Sequence, residues 1–235
     1  MTFFSAFLLA VTLNTSSASG AVVTAPPPVE PQPRTRVGLA MDVLWPRDRG
    51  HDVFSGDSSS TAVGIAAAYD ITRIRRCVLS GGAGWQSGKS HGYVGDTTDT
   101  ALSVNAFHVS AAGRLRLFKW LDPQARVTAG ASRAHASINP AGAPELVGSA
   151  WSGFARAGLG LALLNPQGWF SGDPQRPDKV RILVDIESGW MLSTAFDLAL
   201  RPTGLPKNAI GRSAVSLGDL NQSGPYLRVM VGLVF

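Results

Sequence analysis

The closing stretch Pro225-Tyr226-Leu227-Arg228-Val229-Met230-Val231-Gly232-Leu233-Val234-Phe235 alternates with a period of two residues and ends on a terminal aromatic. From Leu227 onward the odd positions are Leu227, Val229, Val231, Leu233 and Phe235, whereas the even positions from Tyr226 include Arg228 and Gly232. Successive side chains of a strand point to opposite faces, so one face here suits hydrocarbon and the other tolerates a charge. A barrel wall in a bilayer has that requirement: apolar outside, polar permitted inside. The expected fold is all-β, a transmembrane eight-stranded antiparallel up-and-down β-barrel.

Composition agrees with that expectation. Charged residues make up 16% of the 235-residue chain and glycine is abundant at 26 residues, against roughly 25% charged in soluble domains. The net charge of +5 is spread over scattered arginines and is accompanied by no basic helix or nucleic-acid motif, so nucleic acid is not an expected partner. Cys77 is the single cysteine, which excludes an intramolecular disulfide framework; on an apolar strand phase it reads as a small hydrophobe.

Working back from the terminus, the same pattern recurs. A first strand from about Arg36 to Trp45 sets Val37, Leu39, Met41, Val43 and Trp45 against Arg36, Gly38, Ala40 and Asp42. A second, about Thr61 to Tyr69, puts Val63, Ile65, Ala67 and Tyr69 outward. A third, about Arg75 to Trp85, puts Cys77, Leu79, Ala83 and Trp85 outside and Arg76, Ser80, Gly82, Gly84 and Gln86 inside. In the fourth, Leu102, Val104 and Ala106 share one phase while Leu115 and Leu117 hold the other, which predicts a β-bulge between Ser110 and Gly113. The fifth carries Ala125, Val127, Ala129 and Ala131 against Arg126, Thr128, Gly130 and Ser132. The sixth presents Trp151, Ala155, Ala157, Leu159, Leu161 and Leu163, and the seventh Val180, Ile182, Val184, Ile186 and Trp190.

Short connections are expected at Asp70–Ile74, Lys119–Gln124 and Asn165–Lys179, alternating with longer polar loops at Pro46–Ser60, Ser87–Asp99, Ala136–Gly148 and Ser193–Gly224. Short inner turns and long outer loops are the usual asymmetry of such barrels, and an even strand count leaves both termini on the short-turn side. Six tryptophans fall near strand ends. Trp45, Trp85, Trp151 and Trp190 are expected at the outer rim, and Trp120 and Trp169 at the inner one, joined by Tyr69, as aromatic girdles at the two interfaces.

Over roughly residues 35–235 the chain resembles the small eight-stranded outer-membrane barrels of the OmpA/OmpX kind. The resemblance implies a bacterial outer-membrane location, contact with outer-membrane lipid and lipopolysaccharide, and a monomer. Tyr226 to Phe235 resembles the C-terminal signal read by the barrel-assembly machinery. The resemblance covers the barrel alone, so the cell-wall anchoring supplied by the periplasmic domain of OmpA is not among the expectations. Upstream, Phe3–Leu13 followed by small and polar residues reads as a secretory signal over 1–20, although its first residues lack Lys and Arg. Residues 21–34, with five prolines between Ala25 and Arg34, read as an extended periplasmic lead.

Asp42, Arg156, Asp185, Glu187 and Arg228 share the inward phase and are expected to pair in the lumen, since a Lys or Arg at the lipid midplane costs about 2–4 kcal/mol. Asp185 and Glu187 also have the spacing of a carboxylate pair, but i, i+2 is equally what a polar lumen face provides. Residues 83–90, Ala-Gly-Trp-Gln-Ser-Gly-Lys-Ser, match a relaxed phosphate-loop pattern without the helix such a loop must open. His108-Val109-Ser110 resembles the His-x-Ser pair of outer-membrane lipid A deacylases, lacking an adjacent orienting acid. Loop acids Asp52, Asp57, Asp96 and Asp99 lack EF-hand spacing. No metal or other cofactor is expected, and no catalytic residue. The functional expectation is a structural or surface-interaction protein of the cell envelope, with a narrow porin-like channel or a lipid A hydrolase as alternatives.

Overall fold

The computed structural model describes residues 35–55, 59–94, 98–118, 120–166, 168–170, 172, 179–203 and 215–235. The expected export signal and proline-rich lead, together with Asp57 and Asp96, lie outside them. Ten strands are present: β1 (Thr35–Leu44), β2 (Ser60–Ile74), β3 (Cys77–Val94), β4 (Thr98–Leu115), β5 (Leu121–Pro140), β6 (Leu146–Leu164), β7 (Arg181–Ser193), β8 (Phe196–Pro202), β9 (Val215–Leu220) and β10 (Gly224–Val234). A 3-10 turn over Arg49–Val53 follows β1.

Eight strands close a ring. β1 to β7 pair antiparallel in sequence order, β7 pairs with β10, and β10 pairs with β1. The terminal strand is therefore the closing stave: Val229 stands opposite Met41 on one side and Ile186 on the other. Closure leaves no open edge, which a structure in hydrocarbon requires because unpaired backbone groups find no water there. The strands are tilted. Partners followed around the ring from Thr35 pass through Tyr69, Gly81, Ala111, Val127, Ala157, Trp190 and Pro225 and arrive at Trp45, at the other end of β1. Such a stagger accompanies closure of any barrel.

The alternation expected of the wall is present. Along β1, Leu39 is 69% exposed whereas Asp42 is 4% exposed, and the same outward apolar face continues through Val63, Ile65, Phe107, Val109, Val127, Leu159, Leu161, Ile186, Val231 and Leu233. Both termini of the wall meet at the short-turn end, where Thr35 and Phe235 exchange two backbone hydrogen bonds of 2.9 Å.

Three expectations need correction. The predicted bulge between Ser110 and Gly113 is absent: β4 pairs without a register shift to β3 and to β5. Leu102 and Ala106 simply face inward, 2% and 3% exposed, while Phe107, Val109 and Leu115 face out. The phase inverts because this end of the strand leaves the bilayer. There the outward face meets water and becomes polar, and the inward face becomes the apolar one. Second, the loops expected at Ser87–Asp99 and Ala136–Gly148 are largely strand, since β3 and β4 remain paired to Val94 and Thr98 and β5 and β6 to Ile138 and Leu146. Pairing outlasts the hydrophobic alternation that signalled it. Third, Ser193–Gly224 contains the β8–β9 hairpin, which also touches β6 at Leu146 and Val147.

At the short-turn end the boundaries also move. β2 continues to Ile74 with an irregularity between Asp70 and Thr72, and β5 begins at Leu121, so that Asp122 lies in a strand. The β2–β3 turn places Arg75 at φ 55, a left-handed conformation that glycine would adopt at lower cost.

Candidate functional site

The barrel interior and the cap above it are the two places where polar chemistry and shape converge. All five inward-phase residues singled out in the sequence lie inside: Asp42, Arg156, Asp185, Glu187 and Arg228 are each at most 8% exposed. They form two linked groups. Arg156 Nη1 stands 2.5 Å from Asp42 Oδ2, and Arg228 Nε stands 3.8 Å from Asp42 Oδ1. Gln86 lies between the first pair, and with its amide turned so that the nitrogen faces Asp42 it donates to Asp42 Oδ2 at 2.6 Å and accepts from Arg156 Nη2 at 2.7 Å. In the second group Arg126 reaches Asp185 at 2.5 Å and Glu187 at 2.8 Å. Gln124 donates to Asp185, and the Tyr226 hydroxyl donates to Glu187 at 2.5 Å.

A third group, nearer the short-turn end, was not singled out in the sequence. Asp70 accepts from Arg36 at 2.8 Å and from Arg114 at 2.5 Å, and Arg114 lies 3.6 Å from Asp122. Arg36 and Arg126 were visible as inward-phase residues, but nothing in the pattern ranked them above their neighbours. Asp122 was hidden by its placement in a turn. The common requirement is electrostatic: removing one member of a buried pair leaves an uncompensated charge, so each arginine needs its carboxylate.

Above the charges the interior becomes apolar. Leu44, Ala106, Phe154, Met191 and Tyr226 form one buried cluster, with the Arg156 guanidinium 5.0 Å from the Phe154 ring and 5.4 Å from the Tyr226 ring. A larger cluster lies beyond it: Phe54, Leu102, Ala134, Ala136, Phe196, Leu198, Leu200 and Leu220. Phe196, Leu198 and Leu200 have no exposed surface. Alternate residues of β8 thus cover the outer mouth, as period two dictates. Polar bonds stitch this cap. Asp48 accepts from Gly50 N at 2.9 Å and from Asn221 N at 2.8 Å, and Thr100 donates to the Val53 carbonyl at 2.6 Å. His51, 1% exposed, has no hydrogen-bond partner at either ring nitrogen, and its burial pushes the imidazole below its usual pKa.

His108 and Ser110 both point into the lumen from β4. The His108 ring lies against Gly84, where an added Cβ would stand 2.6 Å from His108 Nε2, so glycine is what lets the ring fit. Neither residue faces lipid. Among the described residues no cluster of His, Cys, Asp and Glu has the geometry to hold a metal ion. Two interior cavities measure about 20 and 30 Å³, room for a water or two.

The tryptophans all point outward, from 37% exposed at Trp190 to 66% at Trp169. Trp45, Trp85, Trp151 and Trp190 do not form one thin ring. Trp85 pairs with Ile65 and Phe107 inside the apolar belt, whereas Trp151 pairs with exposed Arg133. Trp120 stacks on Phe118 at 6.1 Å at the inner side, and Tyr69 pairs with Thr35 near the start of β1. Arg47 covers the Trp190 ring at 4.4 Å. Beyond the Trp85–Phe107 row, Lys89, Ser103, His135 and Ser149 make a polar row across four strands. Of the terminal motif, Tyr226 is buried and Phe235 is half exposed.

No family model matches the chain, and no curated protein matches it. Several solved structures are similar in fold, two of them from Yersinia and Neisseria. One is Ail, the attachment invasion locus protein of Yersinia pestis: 12% identity, covering 86% of this chain and 96% of that one, with a TM-score of 0.39. The other is Neisserial surface protein A, NspA: 12% identity, 85% and 94% covered, TM-score 0.38.

Proposed function

We propose that this chain is a monomeric barrel of the bacterial outer membrane with a structural and surface-interaction role in the cell envelope, and that it is not an enzyme. The observation carrying this reading is the sealed interior: ion pairs fill the lumen and Phe196, Leu198 and Leu200 close its outer mouth. A chain built this way offers its outer surface, not a passage. The exposed part of that surface includes Tyr93, at 77%, beside Val94 at the end of the β3–β4 hairpin. Lys89, Arg133 and His135 on the outward face beside Trp151 suit the phosphates of lipopolysaccharide, a partner this reading includes, because cations and Trp side chains concentrate at the head-group level. Tyr226 and Phe235 are the residues through which the assembly machinery would recognise the nascent barrel.

A narrow channel needs a continuous wet path, whereas ion pairs of Arg156 with Asp42 and of Arg126 with Asp185 and Glu187 cross the described lumen. A lipid A hydrolase needs its nucleophile at the lipid face, and Ser110 points away from it. Three readouts on one deletion strain and on purified protein test the proposal. Loss of surface adhesion, unchanged lipid A acylation and a silent planar bilayer are expected. Discrete conductance, or acyl-chain loss in the expressing strain, would overturn it.

A further inference from the structure

We infer that the β2–β3 turn binds the phosphate of an anionic phospholipid, through Arg73, Arg75 and Arg76, in the leaflet that borders the short turns; the inference rests on the reading of this barrel as membrane-spanning. Ile74 pairs with Cys77, so Arg75 and Arg76 are the whole of a two-residue hairpin loop. The commonest loops of that length need φ > 0 at their first residue and favour glycine, asparagine or aspartate there. Here that residue is Arg75, at φ 55. A long cationic side chain kept in a conformation that glycine adopts at lower cost points to a use for the charge. Arg73 folds onto the same loop, its Nε donating to the Arg75 carbonyl at 3.0 Å. Three guanidinium groups thus fall within four residues, all of them exposed. Among the described residues none of the three is in an ion pair with a carboxylate, and Asp70, close by in sequence, is held inside by Arg36 and Arg114.

The surroundings of these charges are apolar, which favours a lipid over a soluble acidic partner. The exposed apolar face of β2 runs through Val63, Ile65, Tyr69 and Ile71 to Ile74, so hydrocarbon-facing side chains continue down to the loop. Ile71 and Ile74 are 68% and 62% exposed, and a Cβ added at Gly81 would stand 3.1 Å from Ile71 Cδ1, which lays that side chain against the outside of β3. The next hairpin lies alongside. Arg116 N donates to the Arg76 carbonyl at 2.8 Å, and just beyond it Leu117, Phe118 and Trp120 are exposed, with the two aromatic rings stacked. Aromatic and apolar side chains at the level where cations begin are the composition of a head-group boundary. A guanidinium there meets a phosphodiester through two parallel hydrogen bonds, and three cations without carboxylates select a lipid of net negative charge over a zwitterionic one. An acidic peptide would leave Ile71 and Ile74 unused.

The test uses the full chain, folded in detergent with equal amounts of phosphatidylglycerol and phosphatidylethanolamine, with the retained lipid identified by native mass spectrometry. A Lys89→Gln, Arg133→Gln background removes cations of the opposite rim. In it the unaltered turn is expected to retain phosphatidylglycerol in preference. Arg75→Gly, which suits the loop and preserves the fold, is expected to weaken that retention about fivefold, and the triple variant Arg73→Gln, Arg75→Gly, Arg76→Gln about a hundredfold, at roughly fivefold for each cation. All variants are expected to insert into phosphatidylcholine vesicles as the wild type does. Failure of the wild type to insert would overturn the membrane reading and this inference with it. Insertion with equal retention of the two lipids, retention unchanged in the triple variant, or displacement of the lipid by hexaglutamate would overturn this inference alone.

Discussion

Arg156 Nη1 lies 2.5 Å from Asp42 Oδ2, a contact between residues 114 positions apart that ties β6 to β1 through the lumen. Neither residue is near the other in sequence or along the sheet. The contact acts as a brace between staves, and it predicts how the barrel fails. Asp42→Ala leaves Arg156 and Arg228 without their carboxylate and is expected to cost about 3–5 kcal/mol, read as a lower urea midpoint of the heat-modifiable band. The double variant Asp42→Leu with Arg156→Met is expected to recover most of that loss, because removing both charges together leaves neither exposed to the penalty.

Glu187 and Tyr226 separate stability from assembly. Glu187→Ala strips Arg126 and Tyr226 of their shared acceptor and lowers unfolding stability. Tyr226→Phe removes one charge-assisted hydrogen bond, at about 1.5–3 kcal/mol. Phe235, exposed at the chain end, makes no such bond; Phe235→Ala is expected to change stability by no more than about 0.5 kcal/mol while slowing insertion by the assembly machinery. Equal stability losses for the two would contradict this division.

Leu39 reports on what surrounds the waist. Facing outward in the middle of β1, it is expected to tolerate Ala with little effect, whereas Leu39→Arg costs about 2–4 kcal/mol in a bilayer. Equilibrium folding into phospholipid vesicles measures both. An arginine tolerated there as well as the alanine would show that no hydrocarbon meets this face.

The cap has its own pH dependence, set by His51. Burial lowers its pKa from the ordinary 6.5, with Asp48 and Asp52 opposing the shift. The unfolded imidazole therefore takes up a proton at a higher pH than the folded one. Stability from this residue is complete above the unfolded value and declines as pH falls through it towards the folded pKa. His51→Leu is expected to flatten the wild-type loss of stability as pH falls through the ordinary imidazole value of 6.5, measured by thermal unfolding. An identical slope in both proteins would remove His51 from the account.

Phe196, Leu198 and Leu200 make the cap separable from the wall. Leu198→Ala is expected to cost about 2–5 kcal/mol of local stability, with faster amide exchange in β8 and β9 and unchanged exchange in β1 and β10. Uniform loss across all strands would mean that cap and wall unfold as one unit.

The sequence by itself determined the wall. Period two, written in Leu39, Val63, Val127, Leu159 and Val231, sorts each residue to lipid or lumen before any partner is known, because a bilayer accepts only one sign of polarity on the outer face. It also put Asp42, Arg156, Asp185, Glu187 and Arg228 on the inner face. Only the tertiary structure decided which of them meet, since the stagger that carries Thr35 round to Trp45 sets the height of every side chain, and stagger is a property of the closed ring. It also decided the cap. Leu102 looks like a wall residue out of phase, and it is a core residue of the part beyond the apolar belt. The same apolar side chain turns outward in hydrocarbon and inward in water, and where that solvent boundary crosses each strand is fixed by the tilt of the assembled barrel.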